Sequence, residues 1–268
     1  MTGFPAGPLW LIGCGNMGGA MLWRWIATGL NPATVTVITR SGKGAPAGVR
    51  SLTALPDEDA PATLMLALKP QQIDAAQALL SPMRGAPTLL LSILAGVDHA
   101  ALAQRFSAET IVRAMPNLPV AIGKGVTSLY AVEAPEDAIA AAEAFARALG
   151  HHEWIADEAH FDAVTALAGC GPGFVFRFAD ALAKAGAALG LPADQAARLA
   201  IATLEGAAIM AADSDVSPAV LADRVASPGG STREGLNVLD RHDALITLLT
   251  ETLAASERRN REMAAAAR

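Results

Sequence analysis

Two cysteines, Cys14 and Cys170, are all that 268 residues contain, which is too few for a disulfide framework and lacks the paired spacing of a zinc site. The five histidines are scattered apart from His151 and His152, with no ligand partner at metal spacing, so no metal is expected. Charged residues make up only 17% and the net charge is −6, leaving no basic footprint for nucleic acid or an anionic membrane surface. The one basic cluster, Arg258, Arg259 and Arg261, is interleaved with Glu257 and Glu262 and reads as a solvated helix face. No apolar run is long enough to span a bilayer, and Met1 to Pro8 lacks the positive start and apolar core of a signal peptide. The cytoplasm is therefore the expected compartment. A hydrophobic fraction of 52% excludes bulk disorder, and the length suits one large or two modest domains.

What is present begins at Pro8 to Met21, PLWLIGCGNMGGAM. Leu9 to Ile12 can form a buried parallel strand, and Gly13, Gly15 and Gly18 then fit G-x-G-x-x-G at the first βα turn of a dinucleotide-binding unit. The first glycine permits the tight turn and the second lets backbone approach a pyrophosphate. The third, with Gly19 behind it, packs the following helix, Met17 to Thr28, against the sheet. A second strand, Thr34 to Thr39, arrives at βαβ spacing. The cofactor candidates on this turn are Gly13, Cys14, Gly15, Asn16, Met17 and Gly18.

An NAD-selective site places a carboxylate on the ribose after the second strand, yet Thr39-Arg40-Ser41 stands there and Asp57 is the first acidic residue of the chain. Arg40, Ser41 and Lys43 instead offer a fork, a hydroxyl and an ammonium for a 2′-phosphate. NADP is the expected cofactor, with NAD the alternative. Further buried strands are expected at Thr63 to Leu68, Thr88 to Ile93, Thr110 to Arg113 and Val126 to Val132, with Gln71 to Leu80 a crossover helix. The fold class is α/β, a mostly parallel Rossmann-type sheet with helices on both faces. Its ligand sites are expected outside the strand ends, at Lys69-Pro70, Leu94-Ala95-Gly96 and Met115-Pro116-Asn117. Asn117, held out of helix between Pro116 and Pro119, could present its amide to nicotinamide or substrate, or could simply form the turn.

After Trp154-Ile155 the strands stop and alanine-rich helix follows, which puts a domain boundary at 156/157: residues 1–156 as the dinucleotide-binding domain, 157–268 as an all-α domain. In Gly173 to Leu189 the charged residues are Arg177, Asp180 and Lys184, all on one face; Leu199 to Met210 carries only Thr203 and Glu205 as polar residues. Two helices this apolar need more cover than their own domain supplies, and a homodimer is expected. Two breaks carry more information than the rest: Ala168-Gly169-Cys170-Gly171-Pro172-Gly173, and Ser227-Pro228-Gly229-Gly230-Ser231-Thr232 with Glu234 at capping-box distance from Ser231. Backbone N–H groups of Gly229 to Thr232 could cradle a small carboxylate; a plain turn with Ser231 as N-cap accounts for the same residues equally well. Cys170 reads as a small space-filling residue rather than a redox thiol.

Taken together, GCGNMG, LALKPQ, RAMPNLP, AGCGPGF and VASPGGSTREGL resemble the pyrroline-5-carboxylate reductase family, in order and across nearly the whole chain. The resemblance implies reduction of a cyclic imino acid, L-1-pyrroline-5-carboxylate, to L-proline by NADPH or NADH. It implies a dinucleotide on Gly13 to Gly18 and on Ala67, Leu68, Lys69 and Pro70. It puts the substrate carboxylate at Ser227 and the backbone of Gly229, Gly230 and Ser231, with Cys170, Gly171 and Asn117 nearby, and gives the Thr232 hydroxyl the ring nitrogen. It also allows rings of dimers. Ala168 and Cys170 stand where the family has serines, Gly173 where it has alanine and Phe174 where it has tyrosine, which leaves a related cyclic imine open as substrate. A β-hydroxyacid dehydrogenase would need a lysine and an asparagine where Arg177 and Ala181 stand, and arginine cannot trade a proton. A dinucleotide-binding regulator without turnover is the remaining alternative.

Overall fold

The computed structural model describes residues 3–266. The elements run β1 (Leu9–Ile12), α1 (Asn16–Ala27), β2 (Val35–Ile38), β3 (Arg50–Leu52), β4 (Thr63–Leu66), α2 (Ile73–Leu80), β5 (Leu89–Ser92), α3 (His99–Arg105), β6 (Thr110–Pro116), β7 (Gly125–Ala131), α4 (Glu136–Arg147) and β8 (Gly150–Trp154). Then follow only helices: α5 (Phe161–Val164), a π turn over Thr165–Gly169, α6 (Gly171–Ala188), α7 (Ala193–Ala212), α8 (Pro218–Arg224), α9 (Ser231–Leu239) and α10 (Ala244–Ala266).

All eight strands form one sheet in the order β3-β2-β1-β4-β5-β6-β7-β8, parallel except where β6 meets β7. The expected α/β class with a helical second half is what the chain adopts. Strands β1, β2, β4 and β5 are buried along their whole length because helices cover both faces. The two-residue strand period divides the core accordingly: Leu9 and Leu11 pack with Met21, Leu22 and Trp25 on one face. Trp10 and Ile12 pack with Ile73, Leu80, Leu102 and Phe106 on the other. Trp25 is fixed further by its Nε1, which donates to the Phe145 carbonyl at 2.8 Å. Strand order reverses between β1 and β4, the neighbours on either side of the chain's return, and this is where a crevice opens at the carboxyl ends.

The chain divides into two compact units, one of residues up to 170 together with those from 256 onward, the other of 171–255. The first unit thus runs well past Trp154, where the strands end, for identifiable reasons. Glu158 reaches back to Arg113 of β6 at 2.5 Å and also accepts from the His99 N–H at 2.7 Å; the Arg113 guanidinium lies 4.0 Å above the Phe161 ring. Arg113 is only 7% exposed in its side chain, so this pair is a buried charge matched by a carboxylate and a ring face rather than a surface bridge. The end of α10 joins the same unit: Asn260 donates to the Asp162 carbonyl at 3.3 Å, and a Cβ on Gly96 would stand 3.1 Å from Ala264 Cα.

In the second unit α6 packs on α7. Asp180 takes Lys184 at 2.9 Å and Arg177 at 3.5 Å, so the three charges do share one face, and the Lys184 hydrogen bond holds the Asp180 carboxyl below its usual pKa. Asp194 is lowered in the same way by Arg198 at 2.8 Å. The Gly/Pro break expected at Gly169 to Gly173 is not an open loop; the chain stays helical through it, by the π turn and then α6.

Candidate active site

The turn from β1 into α1 is where glycine is required. Gly13 has φ +90°, and a Cβ there would lie 2.5 Å from the Ala67 carbonyl oxygen. Gly18 faces the same strand end, with a Cβ 2.8 Å from that of Ala67, so α1 can approach β4 only without a side chain. Gly15 differs: a Cβ on it would meet nothing within 4 Å. Gly15 is also the N-cap of α1, with no side-chain cap and no acidic residue in the first turn. The first N–H groups of α1 therefore have no side-chain acceptor at that cap, and the partial positive charge there is uncompensated.

This turn forms one end of a cleft of about 1230 Å³, lined by Gly13, Cys14, Gly15, Asn16, Met17, Gly18, Arg40, Ser41, Lys43, Ala67, Leu68 and Lys69 among others. That exceeds the roughly 300–1,000 Å³ of ordinary small-molecule sites, as a dinucleotide requires. Three cations, Arg40, Lys43 and Lys69, line it and no Asp or Glu does. Among the described residues none of the three makes an ion pair. Residues 39–43 are shaped by hydrogen bonds: Gly42 N–H donates to Thr39 Oγ1 at 3.0 Å, Ser51 Oγ donates to the Gly42 carbonyl at 2.9 Å, and Thr39 N–H donates to Leu52 O at 3.0 Å. β3, three residues with no period to mark it in the sequence, is thus the strut beneath the Arg40 loop. The Cys14 thiol donates to the Gly44 carbonyl at 3.6 Å, and burial pushes its pKa up. Pro70 does not line the cleft; it opens the 3₁₀ turn Pro70–Gln72, where Gln72 Oε1 accepts from Lys69 N–H at 3.3 Å.

Several lining residues carry no motif. Thr53, just after β3, Gln72 of the 3₁₀ turn, and Ala75, Ala76 and Leu79 of α2 belong to the wall, and only the strand pairing and the face α2 turns to the crevice would have found them. Ile93, Met115 and Pro116 close the far end, where the ends of β5 and β6 were expected to matter.

Asn117 is corrected by the structure. It is buried and does not line the cleft. Its Nδ2 donates to the Ala168 carbonyl at 2.9 Å, and its Oδ1 accepts from Val126 N–H at 2.8 Å, so the amide is turned inward. Cys170 lies at the end of the π turn, its N–H donating to Thr165 O at 2.9 Å, and Gly171 begins α6.

The second loop, in the other unit, joins α8 to α9. Gly229 has φ +71°, and Gly230 N–H donates to Ser227 O at 2.9 Å; a Cβ on Gly230 would strike Ser227 Oγ at 2.6 Å. The N-cap is Gly230, with no side-chain cap, so Ser231 is the first helical residue and the capping box with Glu234 does not form. The chain turns one residue early because Gly229 takes the left-handed conformation and Gly230 the extended one. Ser231 and Thr232 are exposed, and the first N–H groups of α9 are left for an outside acceptor. Arg233 pairs with Asp223 at 2.7 Å and fastens the loop between its two helices.

Comparison with known proteins agrees with both regions. Residues 158–263 match the family model of pyrroline-5-carboxylate reductase dimerisation, and residues 9–96 match that of coenzyme F420-dependent NADP oxidoreductases. Pyrroline-5-carboxylate reductase of Pisum sativum is 34% identical over 258 residues, 93% of this chain and 94% of that protein. This chain belongs to the pyrroline-5-carboxylate reductase family. The solved pyrroline-5-carboxylate reductase of Coxiella burnetii superposes with a TM-score of 0.87 at 31% identity, covering 96% of this chain and 98% of that one. Plasmodium falciparum pyrroline carboxylate reductase, solved with NADP bound, has a TM-score of 0.81 at 24% identity, covering 98% and 100%, and speaks for the fold. No comparison favours a β-hydroxyacid dehydrogenase or a regulator without turnover. Among the described residues no helix is long and apolar enough to cross a membrane, and no group of His, Cys, Asp and Glu could hold a metal.

Proposed function

We propose that this chain is an NADPH-dependent oxidoreductase that reduces L-1-pyrroline-5-carboxylate to L-proline, the last step of proline biosynthesis. The observation that carries the reading is a dinucleotide-sized cleft with three cations, no carboxylate and an uncapped helix N-terminus, in a chain that shares about a third of its residues with pyrroline-5-carboxylate reductases over nearly full length. The open direction at Gly15 is the space a pyrophosphate would fill, and the N–H groups of Asn16, Met17 and Gly18 are its donors. Arg40 and Lys43, with the Ser41 hydroxyl, would hold a 2′-phosphate, and Ala67, Leu68 and Lys69, just past the end of β4, would border the cofactor.

When bound, NADPH supplies the hydride from nicotinamide C4 that reduces the C=N bond. The chain's own share is orientation. Ser227 and the N–H groups of Gly229 and Ser231 hold the substrate carboxylate at the start of α9, while Gly230 N–H stays on Ser227 O and shapes the loop, and Thr232 Oγ1 hydrogen-bonds the ring nitrogen. A cyclic imine takes its proton from solution and is then an activated iminium, so no strong general acid has to be provided, in keeping with loops that carry no His/Asp or Cys/His pair. Cys170 and Gly171 are proposed as further substrate contacts.

The helical half, 157–268, is proposed as the substrate-binding and dimerisation domain, beside a dinucleotide-binding domain of 1–156. The support is exposure. Of the hydrophobic side chains in the second unit only Ala196, Ala200 and Ala226 are buried, while Phe176, Leu199, Ile201, Ile209 and Met210 are each at least half exposed. A single copy leaves these uncovered, so a homodimer that buries them is proposed, with a larger ring of dimers as a further assembly, in the cytoplasm. Light scattering at working concentration should give no monomer.

The deciding experiment follows NADPH oxidation at 340 nm with freshly prepared pyrroline-5-carboxylate, beside NADH and beside a 3-hydroxy acid with NADP. Turnover of the imine and none of the hydroxy acid is expected. Bound NADPH with no oxidation by any cyclic imine would refute the reading.

A further inference from the structure

Pro172 has no N–H, so the carbonyl four residues before it, that of Ala168, has no α-helical donor. That carbonyl nevertheless has a partner, the Nδ2 of Asn117 at 2.9 Å. Asn117 is only 6% exposed and is fixed on its other side as well, by Val126 N–H to Oδ1 at 2.8 Å and by its own N–H to Val126 O at 3.1 Å. The planar amide is therefore pinned between a sheet hairpin and one carbonyl. Its position along the chain matters. Asn117 directly follows Met115 and Pro116, which line the cleft, and a Cβ on Gly169 would stand 3.8 Å from Met115 Cγ. The π turn over Thr165–Gly169, closed by Cys170 N–H on Thr165 O, is thus packed on Met115 of β6 and hydrogen-bonded by Asn117, two residues further on.

We infer that Asn117 is a positioning residue: its amide stands in for the N–H that Pro172 lacks, and so sets the course of the turn ending in Cys170 and Gly171, the residues proposed above as substrate contacts. The inference rests on the proposed function for the identity of that substrate. Asparagine is the residue type the place demands, because it must accept from Val126 and donate to Ala168 at once. Aspartate can only accept and would face the Ala168 oxygen with another oxygen; leucine can do neither.

The test is a double-mutant cycle on the full-length enzyme with N117A, P172A and the pair, plus N117D. Losing the donor leaves a buried acceptor unsatisfied, and kcat/KM for pyrroline-5-carboxylate should fall roughly ten- to a hundredfold in N117A and N117D, mainly through KM. The NADPH Kd, measured by fluorescence, should stay within about twofold, since Asn117 does not line the cleft. In the P172A background, where residue 172 regains an N–H for Ala168, removing Asn117 should cost at least about threefold less than in wild type. N117D keeps the shape and the bond from Val126, so it serves if N117A does not fold. Equal losses in both backgrounds, a parallel loss of NADPH affinity, or wild-type kcat/KM in N117A would each overturn the inference. A wild-type control that binds NADPH and reduces no imino acid would instead overturn the functional reading, and is run before any variant.

Discussion

Gly15→Ala separates the fold from the function of the β1–α1 turn. Its neighbours in the fingerprint cannot accept a methyl group: at Gly13 the Cβ would lie 2.5 Å from the Ala67 carbonyl oxygen and 2.7 Å from Leu68 Cδ2, at φ +90°. A left-handed backbone and an overpacked contact together should cost about 2–5 kcal/mol in Gly13→Ala. At Gly15 the backbone sits at φ −77°, ψ −164°, where alanine is at ease, and the added methyl touches nothing. Gly15→Ala should therefore fold as wild type or gain about 0.4–1 kcal/mol through a stiffer unfolded chain. In a protein of this size that is a rise in Tm of at most about 2–4 °C, against a clear fall for Gly13→Ala. Binding should behave the other way. A methyl in the space reserved for pyrophosphate removes at least one charge-assisted N–H contact, about 1.5–3 kcal/mol, and so weakens NADPH about 10- to 150-fold. The assay is thermal melting by circular dichroism for stability, and nicotinamide fluorescence titration for Kd, on the same preparations. Gly15→Ala with an unchanged Kd would refute the placement of the pyrophosphate, and a Tm loss as large as that of Gly13→Ala would refute the argument from open space.

Other consequences are as direct. Arg40→Ala should raise the KM for NADPH about tenfold, the low end for a charged hydrogen bond because Arg40 is exposed, and leave NADH unaffected; an unchanged NADPH/NADH ratio of kcat/KM, also in the double variant with Lys43→Ala, would take both residues away from the 2′-phosphate. Thr232→Ala should lower kcat/KM for the imine by roughly ten- to a hundredfold, the scale of one to two polar contacts, with NADPH affinity kept; unchanged kcat/KM removes Thr232 from the site. The raised pKa of Cys14 means less thiolate at any given pH, so iodoacetamide at pH 7.5 should label Cys14 more slowly than in the unfolded chain and more slowly still with NADPH present; peptide mass spectrometry reads both, and labelling indifferent to NADPH would place Cys14 outside the cofactor's reach.

Much of the first unit was legible because its signals are periodic and local. A four-residue strand buried on both faces has only apolar residues to show, and β1, β2, β4 and β5 were found within two residues of their ends. The glycine spacing gave the turn, because Gly13 and Gly18 stand where no Cβ fits and Gly15 keeps open the space in front of the helix. What failed to show was whatever depends on the partner across space. β3, Arg50–Leu52, has too few residues for a period and pairs with β2 only after the crossover is made. Asn117 was read as a group facing ligand or shaping its own turn, and its real acceptor lies 51 residues away. The missing N–H of Pro172 was visible in the sequence, but which side chain would replace it was not. Ser231 looked like an N-cap by spacing, and the φ of Gly229 moved the cap to Gly230.

The two helix starts proposed to hold anions differ from each other in a way that bears on what each would hold. Two helices use an N-cap side chain: Asp98 accepts from Ala101 N–H at the start of α3, and Ser217 from Val220 N–H at the start of α8. Helices without such a cap start with a carboxylate in the first turn, as α4 does with Glu136 and Asp137 and α7 with Asp194. Among the α-helices whose N-caps are described, α1 alone has neither. Leaving a helix start bare forgoes about 1 kcal/mol, which an N-cap side chain would supply, and the natural compensation is a bound anion of high charge. α9 is the milder case, with a bare glycine cap but Glu234 in its first turn, so its field is partly cancelled before any ligand arrives. A pyrophosphate at α1 and a single carboxylate at α9 follow that order of field strength. The same order predicts that added salt weakens NADPH binding more steeply than it raises the KM of the imino acid, and the reverse slope would mean that the two anions have been assigned to the wrong helices.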